Sequence, residues 1–282
     1  MDGYDAIIIG AGPAGLIAAT YLARFRRRVL VLGAGPSRAS WIPESHNTPG
    51  FPHGVGGDEL LRRLTEQAAA FGAEFRDLRV DRLARAGDMF EVSGQGLVVE
   101  ASAVLLATGV LDRMPDIEGL EAAVRRSLVR MCPICDAYEA IDKRIAVLGD
   151  GGLAQREAAF LRTYSDQVSV IGEHSGRLSV LADTVAWAAP DGAVRTFDHL
   201  YLALGCEPQS ALAVAGGAAR DADGNLVVDA HQMTSINGLY AAGDVVRGLN
   251  QIAVATGEAA IAATAIHNRL RKADGRHAAF AR

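Results

Sequence analysis

The chain has 282 residues, half of them hydrophobic, and a formal net charge of −5 at pH 7. This length is enough for two domains, each with a core of its own. The slightly acidic balance lacks the basic surface that nucleic-acid binding requires, so we predict no nucleic-acid partner.

The N-terminal residues, MDGYDAIIIGAG, have neither the basic start nor the long apolar stretch of a signal peptide. No apolar run approaches the roughly 20 residues that span a bilayer. We therefore predict a cytoplasmic protein without a membrane partner. The three cysteines are too few for a disulfide framework in a chain of this size.

The chain opens with a strand–turn–helix–strand pattern. Residues 4–9 form a short apolar run, residues 10–15 read GAGPAG, a helical pattern follows, and residues 28–32, RVLVL, are typical of a second strand. Gly10, Gly12 and Gly15 let the backbone approach a pyrophosphate at a helix N-terminus, where the helix dipole favours anions. The pattern predicts a dinucleotide-binding unit. The alternative is a tight glycine turn that holds no ligand.

A second unit of this kind begins at Arg144, with Gly149, Gly151 and Ala154 in the fingerprint positions. The two units predict an α/β protein with two Rossmann-like, three-layer dinucleotide-binding domains, the second inserted in the first. We place the first domain in residues 1–115 and 208–282, and the inserted domain in residues 116–207.

The remaining pattern predicts further elements. We expect a helix over residues 58–71, separate strands over residues 97–100 and 103–109, two strands within residues 224–248, and a helix that begins at Gln251.

Cys132 and Cys135 form a Cys-x-x-Cys pair within RMCPICDAYEA. Such a pair is half of a zinc site, a structural disulfide or a redox dithiol. Zinc needs four ligands and the chain has no second pair, so we predict no metal. The redox dithiol is the favoured interpretation. Cys206 lies in an apolar run far along the chain and is predicted to be a buried core residue.

Seven motifs occur in the order found in low-molecular-weight thioredoxin reductases, namely GAGPAG, NTPGF, ATG, CPICD, GDGGLA, LYAAGD and QIAVATGEAA. The chain resembles this family over nearly its whole length. The resemblance implies a FAD domain built from both termini, an inserted pyridine-nucleotide-type domain that carries the cysteine pair, and a homodimer. It also implies an FAD-dependent enzyme that passes electrons between the flavin and the cysteine pair.

The same resemblance implies which residues bind FAD. They are Gly10, Gly12, Pro13, Ala14, Gly15, Asn47, Ala107, Thr108, Gly109, Gly243, Asp244, Gln251 and Ile252. Asp244 would accept a hydrogen bond from a ribityl hydroxyl, and the helix from Gln251 would direct its N-terminus at the flavin pyrimidine. From the residues alone, Asn47 and Asp244 are also suited to forming turns.

One position departs from the fingerprint, which expects an acid after the second strand to bind ribose hydroxyls. Gly33 stands there instead. A backbone donor, Ser37 or Arg38 must take its place.

For the chemistry, the resemblance implies that Cys135 faces the flavin and that Cys132 attacks the substrate disulfide. Asp136 matches the acid that moves protons to the departing thiolate; helix capping is its alternative role. The pair precedes a predicted helix start, whose dipole would lower a thiol pKa, with Arg130 assisting.

The electron donor is the open question. Thioredoxin reductases bind the 2′-phosphate of NADPH with a His-Arg-Arg cluster, and this chain has Gly172, Glu173 and His174 there, with Arg177 nearby. Glu173 would repel a phosphate and suits the ribose hydroxyls of NADH. The segment between Glu173 and Tyr201 is also shorter than in the family. Our first interpretation is that the second glycine turn is structural and no longer binds a nucleotide. Binding of NADH is the second interpretation, and binding of NADPH is the last.

The resemblance implies a thioredoxin-like protein or a small-molecule dithiol or disulfide as substrate, with ferredoxin or a similar carrier as donor if no nicotinamide binds. Two alternatives stay open: a dithiol oxidase that uses oxygen, suggested by Tyr138 and Glu139 after the pair, and a non-catalytic flavin-binding sensor or structural dimer. Those oxidases usually carry His where this chain has Asp136.

Phe280 is predicted to cover the flavin of the other subunit, as a C-terminal aromatic residue does in some relatives.

Overall fold

The computed structural model describes residues 3–275. Its strands and helices, in chain order, are β1 (Tyr4–Ile9), α1 (Pro13–Arg24), β2 (Val29–Gly33), α2 (Gly57–Ala70), β3 (Glu74–Asp77), β4 (Arg82–Ala86), β5 (Met89–Gly94), β6 (Leu97–Leu106), β7 (Val110–Asp112), α3 (Leu120–Arg125), β8 (Val129–Arg130), α4 (Pro133–Asp136), β9 (Ile145–Leu148), α5 (Gly151–Leu161), β10 (Val168–Ile171), β11 (Arg177–Val180), β12 (Val185–Ala188), β13 (Val194–Phe197), β14 (His199–Leu202), β15 (Cys206–Pro208), α6 (Ala211–Ala215), β16 (Leu239–Ala241) and α7 (Ile252–Ala273).

The chain divides into two compact units. Residues 3–40, 58–111 and 208–275 form the first unit, and residues 41–57 and 112–207 form the second. The chain thus leaves the first unit for the second twice, at residue 41 and at residue 112, and returns to it each time. Which unit binds FAD and which is of the pyridine-nucleotide type stays a prediction at this point.

The first unit is built on a seven-stranded sheet in the order β3-β2-β1-β6-β5-β4, with β16 also paired to β6. β1 pairs in parallel with β2 and β6, so its side chains are covered on both faces. This is why the runs AIII and VLVL are apolar at every position rather than alternating.

β6 corrects one expectation from the sequence. Residues 97–106 form a single continuous strand, not two. The two halves of this strand have different neighbours along one edge. The first half pairs antiparallel with β5 and the last three residues pair in parallel with β16. Residues 224–248 also form less sheet than predicted, since β16 is their only strand and isolated bridges make up the rest.

Helices α1 and α7 pack together on one face of this sheet. Alanines dominate the contact, because small side chains let two helix backbones approach closely. The predicted helix from Gln251 is confirmed, with Gln251 as its N-cap and Ile252 as its first residue.

The second unit contains a four-stranded parallel sheet in the order β10-β9-β14-β8. α5 connects β9 to β10, completing the second βαβ motif predicted from the glycine pattern. The predicted α/β class with parallel sheets is therefore confirmed.

A separate antiparallel sheet, β11-β12-β13, lies in the segment between Glu173 and Tyr201. Trp187 on β12 faces Arg195 on β13, whose guanidinium lies 4.7 Å from the indole centroid. Val185, Trp187 and Phe197 pack into the same core as β9 and β14. This segment thus contributes to the core of its unit.

Within the described residues, no helix is long and apolar enough to cross a membrane. Phe280, with its predicted role at the flavin of another subunit, lies outside the described residues.

Candidate active site

The first glycine turn is shaped by close backbone packing. Gly10 has a φ of +116°, and a Cβ there would collide with the carbonyl oxygen of Ala107. A Cβ on Gly15 would collide with the carbonyl oxygen of Gly10. The turn therefore lies tightly between the ends of β1 and β6 and the start of α1.

The same turn fits a dinucleotide pyrophosphate. Gly12 is the N-cap of the 12-residue helix α1, and Pro13 takes the first turn, where its missing N–H is harmless. A Cβ on Gly12 would fill the space beside Ser37 Oγ, at 3.2 Å. Ala14 and Gly15 are buried behind it. An anion at this helix N-terminus would meet unpaired backbone N–H groups.

Gly33 cannot be replaced by the acid of the fingerprint without rearrangement. A Cβ there would lie 2.7 Å from the Cβ of Ala11, the residue between the first two glycines. Of the two predicted substitutes, Ser37 lies beside Gly12, while Arg38 forms an ion pair with Asp244 at 3.4 Å.

The ATG segment follows β6 in the same unit. Ala107 N–H donates to the carbonyl of Ile9, and the Thr108 hydroxyl donates to the carbonyl of Gln209 at 2.7 Å. Gly109 has a φ of +66° with open space around its Cα. The Thr108 hydroxyl is therefore bonded within the protein, to Gln209. The backbone groups of residues 107–109 are the part of this segment that a ligand could contact.

The Gly-Asp motif brings three elements together. A Cβ on Gly243 would lie 3.0 Å from that of Ala14 on α1 and 3.5 Å from that of Ala255 on α7. Gln251, the N-cap of α7, uses its amide to donate to the carbonyls of Leu249 and Asn250. The predicted residues from both ends of the chain, apart from Asn47, are thus assembled in one unit.

Sequence reasoning missed Glu258. This buried residue on α7 accepts a hydrogen bond from the backbone N–H of Gly243 at 2.9 Å and pairs with Arg247. It holds the Gly-Asp loop in place. The sequence signal that could have revealed Glu258 is an acid in the middle of an alanine-rich helix, which indicates a buried carboxylate with a specific partner.

Asn47 belongs to the second unit, with the cysteine pair. It is exposed, and its side-chain oxygen accepts a hydrogen bond from Ser45 Oγ at 3.0 Å. Ser45 and Thr48 are buried and bonded to each other at 2.8 Å. This network supports the turn-forming role of Asn47, and its predicted contact with FAD stays a prediction.

Cys132 and Cys135 form a disulfide and are both partly exposed. Cys132 is the N-cap of α4, Pro133 opens that helix, and the Cys135 N–H donates to the Cys132 carbonyl at 3.0 Å. The expected helix is present but only four residues long, and its predicted effect on the cysteine thiols stays a prediction.

Asp136 follows the pair and is held by Arg130. Arg130 Nη1 lies 2.9 Å from Asp136 Oδ2, and the side chains are 8% and 23% exposed. Burial raises the pKa of Asp136, and the guanidinium of Arg130 opposes that rise. The fully buried Tyr201 donates its hydroxyl to the Asp136 carbonyl at 3.2 Å. Arg130 thus bonds to the acid, a contact that the sequence did not reveal.

Cys206 is partly buried rather than buried, so the core role predicted for it is wrong. Its location in β15, a three-residue strand near the boundary of the units, explains the exposure. Among the described residues no group of His, Cys, Asp or Glu is arranged to hold a metal ion.

The second glycine turn contains an acid. Asp150, between Gly149 and Gly151, accepts a hydrogen bond from the Glu173 N–H at 3.3 Å. Its Oδ1 lies 2.9 Å from where a Cβ on Gly172 would be. Asp150 and Gly172 therefore repeat the arrangement of Ala11 and Gly33, with a carboxylate in place of a methyl group.

A cavity of about 970 Å³ adjoins this place in the second unit. Its charged lining residues are Asp116, Glu118, Arg126, Glu173, His174 and Arg177. Arg126 donates to the carbonyls of Ala122 and Ala182. The lining of the cavity therefore combines three acids with two arginines and one histidine.

Comparison with known proteins identifies the class. A family model for pyridine nucleotide-disulphide oxidoreductases matches residues 4–188 and 178–259. The chain is 29% identical over 296 residues to a thioredoxin reductase from Treponema pallidum (strain Nichols), which covers 93% of this chain and 95% of that protein. A thioredoxin reductase from Mycolicibacterium smegmatis is 30% identical over 277 residues, with 86% and 88% covered.

A solved structure agrees with these relatives. The thioredoxin reductase from Streptococcus pyogenes MGAS5005 superposes with a TM-score of 0.87 at 26% identity, covering 95% of this chain and 98% of that chain. The chain belongs to the pyridine nucleotide-disulphide oxidoreductase family. Within it, the protein is a thioredoxin reductase-like flavoenzyme, an FAD-dependent disulfide oxidoreductase with two Rossmann-like domains, and the predicted class is confirmed.

Proposed function

We propose that the protein passes electrons between FAD and the Cys132–Cys135 pair, and from there to or from a thioredoxin-like protein or a small-molecule dithiol. The observation that carries this proposal is the partly exposed disulfide directly followed by a partly buried acid in an ion pair with Arg130. A purely structural disulfide would have no need of a carboxylate buried beside it at a cost in desolvation.

FAD, when bound, supplies the two-electron carrier. The residues that would hold it are those of the first unit: the turn from Gly10 to Gly15 at the pyrophosphate, residues 107–109, the Gly-Asp motif and the N-terminus of α7. Arg38 neutralises Asp244 in part, and Glu258 fixes the loop that presents it.

The cysteines divide the exchange. We assign Cys132 to the attack on the substrate and Cys135 to the flavin side, as in the family. Asp136 gives a proton to the sulfur that leaves as a thiolate, and takes it back when that thiol is needed as a nucleophile. Ile134 and Tyr138, 53% and 75% exposed beside the pair, offer an apolar surface that suits a protein substrate.

The partner is inferred from the relatives, whose names describe them as thioredoxin reductases. We propose a thioredoxin-like protein first and a small-molecule dithiol second. A homodimer and a cytoplasmic location remain predictions.

We further propose that the second glycine turn does not accept NADPH. Asp150 and Glu173 put two carboxylates where the turn meets the end of β10, and a phosphate there would be repelled. A turn without a nicotinamide cofactor is our first interpretation, and NADH binding is the second. In the first case a carrier such as ferredoxin supplies electrons, or oxygen removes them.

Anaerobic titration tests this ranking of the possible electron donors. NADPH, NADH and dithiothreitol are added in turn while the visible flavin band is followed. We expect bleaching by the dithiol and none by NADPH. Bleaching by stoichiometric NADPH would refute the proposed loss of the NADPH site, and a flavin that no dithiol reduces would favour the sensor or structural dimer.

A further inference from the structure

Asp136 and Glu139 share an uncommon feature. Asp136 Oδ1 and Glu139 Oε2 are both buried, and neither has a hydrogen-bond partner among the described residues. Buried carboxylate oxygens without partners are costly and rare. Two in one short segment call for an explanation in function.

Asp136 and Glu139 are three residues apart on a continuous stretch of helical turns. Asp136 ends α4, Ala137 has helical dihedral angles, and a 3₁₀ turn spans Tyr138–Ala140. Residues three apart on such a segment are neighbours. Burial is the largest cause of the raised pKa of Asp136, and the negative charge of Glu139 adds a smaller contribution in the same direction.

Glu139 connects this pair of acids to the surface. Its Oε1 lies 3.2 Å from His46 Nδ1, and His46 Nε2 lies 3.3 Å from Glu44 Oε2. The side chain of His46 is 42% exposed and that of Glu139 is 30% exposed. Histidine exchanges protons with solvent near neutral pH and can carry one on either ring nitrogen.

We propose that Glu139 and His46 form the path by which protons pass between Asp136, beside the cysteine pair, and solvent. The inference rests on the proposed thiol–disulfide exchange. All residues of the path lie in the second unit.

The surroundings of Asp136 leave one route. Its Oδ2 is bonded to Arg130, and the Tyr201 hydroxyl donates to the backbone carbonyl of Asp136. Burial raises the pKa of Tyr201 further, so that phenol does not ionise. Oδ1 is thus the oxygen that can gain or lose a proton, and Glu139 is the neighbouring acid that can pass it on.

The chemistry requires such a path. When an external dithiol reduces the pair, the Cys132–Cys135 bond breaks, a disulfide forms in the substrate, and two electrons move from substrate to enzyme. Two protons leave the substrate thiols and two arrive on the cysteine sulfurs, so the reaction is balanced. Asp136 protonates the first thiolate to leave and must regain that proton through Glu139 and His46.

The test counts thiols directly. Holoenzyme is mixed anaerobically with dithiothreitol at low buffer concentration, quenched with iodoacetamide, and the labelled cysteines are counted by mass spectrometry. The variants are His46→Ala, Glu139→Gln and the double variant, with His53→Ala as a control at an exposed histidine of the same segment.

We expect His46→Ala to slow thiol formation several-fold and added imidazole to restore it, because a small base can replace the missing ring at Glu139. Glu139→Gln should be slow without rescue, and the double variant should be no slower than Glu139→Gln. A structural role for His46 would not respond to imidazole.

Equal rates for His46→Ala and wild type at low buffer concentration would overturn the path, as would equal acceleration of His53→Ala by imidazole. If dithiothreitol does not open the wild-type pair at all, the proposed exchange fails, and the path with it.

Discussion

At the scale of single residues, Arg130 and Asp136 place opposite charges in a largely buried setting next to a reactive disulfide. Burial disfavours the ionised carboxylate, while the guanidinium at 2.9 Å favours it. The balance makes the carboxyl group easier to protonate than an ordinary aspartate. That is the property a proton donor to a thiolate needs.

Replacing Asp136 with Asn should slow the opening of the disulfide by dithiol by roughly 10²-fold, because the amide cannot deliver a proton. Stopped-flow measurement of flavin reduction by dithiothreitol checks this. Asn keeps the shape of the side chain, so flavin content should stay that of the wild type. An unchanged rate would show that Asp136 only caps the turn.

Replacing Arg130 with Met should lower the free energy of unfolding by about 3 kcal/mol, because it leaves a buried carboxylate uncompensated. The double variant Arg130→Met, Asp136→Asn removes both charges and should recover most of that loss. Denaturant unfolding of Arg130→Met, Asp136→Asn and the double variant measures these free energies. Equal destabilisation of the single and double variants would mean that Arg130 acts by packing and not through Asp136.

At the scale of elements, helix α5 carries Glu157, a second acid whose pKa is raised. Burial raises the pKa of Glu157 to about 7, against the weaker effect of Arg156, and Glu157 Oε2 is buried without a partner among the described residues. Between its ordinary value of 4.5 and about 7, the unfolded chain releases this proton while the folded chain keeps it. The free energy of unfolding therefore falls as pH rises through that window.

Glu157→Gln should remove this contribution. The variant should gain stability over wild type at about pH 8, and the gain should shrink by about pH 5. Urea unfolding at both pH values checks it, with the exposed Glu121→Gln as control. A gain that does not depend on pH would contradict the proposed protonation of Glu157.

The loop between β16 and α7 depends on a positive φ. Gly243 has a φ of +84°, and a side chain there would press on Ala14 at the first glycine turn. Gly243→Ala should cost stability of roughly 1–2 kcal/mol and lower flavin retention, because the strain falls on the predicted cofactor loop. Gly248→Ala, with open space around it, is the control, and flavin content after gel filtration is the measurement. Equal flavin content in both variants would place FAD elsewhere.

These elements show what a sequence can and cannot predict. The two glycine turns and the cysteine pair were predictable because each depends on neighbours along the chain. The bond of Glu258 to Gly243 spans 15 residues and required knowing that α7 packs behind its own preceding loop. The contact of His46 with Glu139 spans 93 residues and leaves no periodic signal.

At the scale of the whole molecule, the chain has the two Rossmann-like domains of its family and a cysteine pair in the second unit. Asp150 stands between two glycines that still form the turn, with Gly149 packed on Ala203. Close packing at Gly149 therefore maintains the turn whether or not a nucleotide binds there, and the proposed loss of NADPH binding is compatible with this fold. We expect wild-type flavin to respond to dithiol and not to NADPH.

The most direct test compares wild type with Cys135→Ser in an anaerobic titration with dithiothreitol, followed at the visible flavin band. Wild type should be bleached through the Cys132–Cys135 pair, and Cys135→Ser should retain its oxidised spectrum, because the remaining thiol cannot form the intramolecular disulfide. Bleaching of Cys135→Ser at the wild-type rate would contradict the account, since electrons would then reach the flavin without the pair.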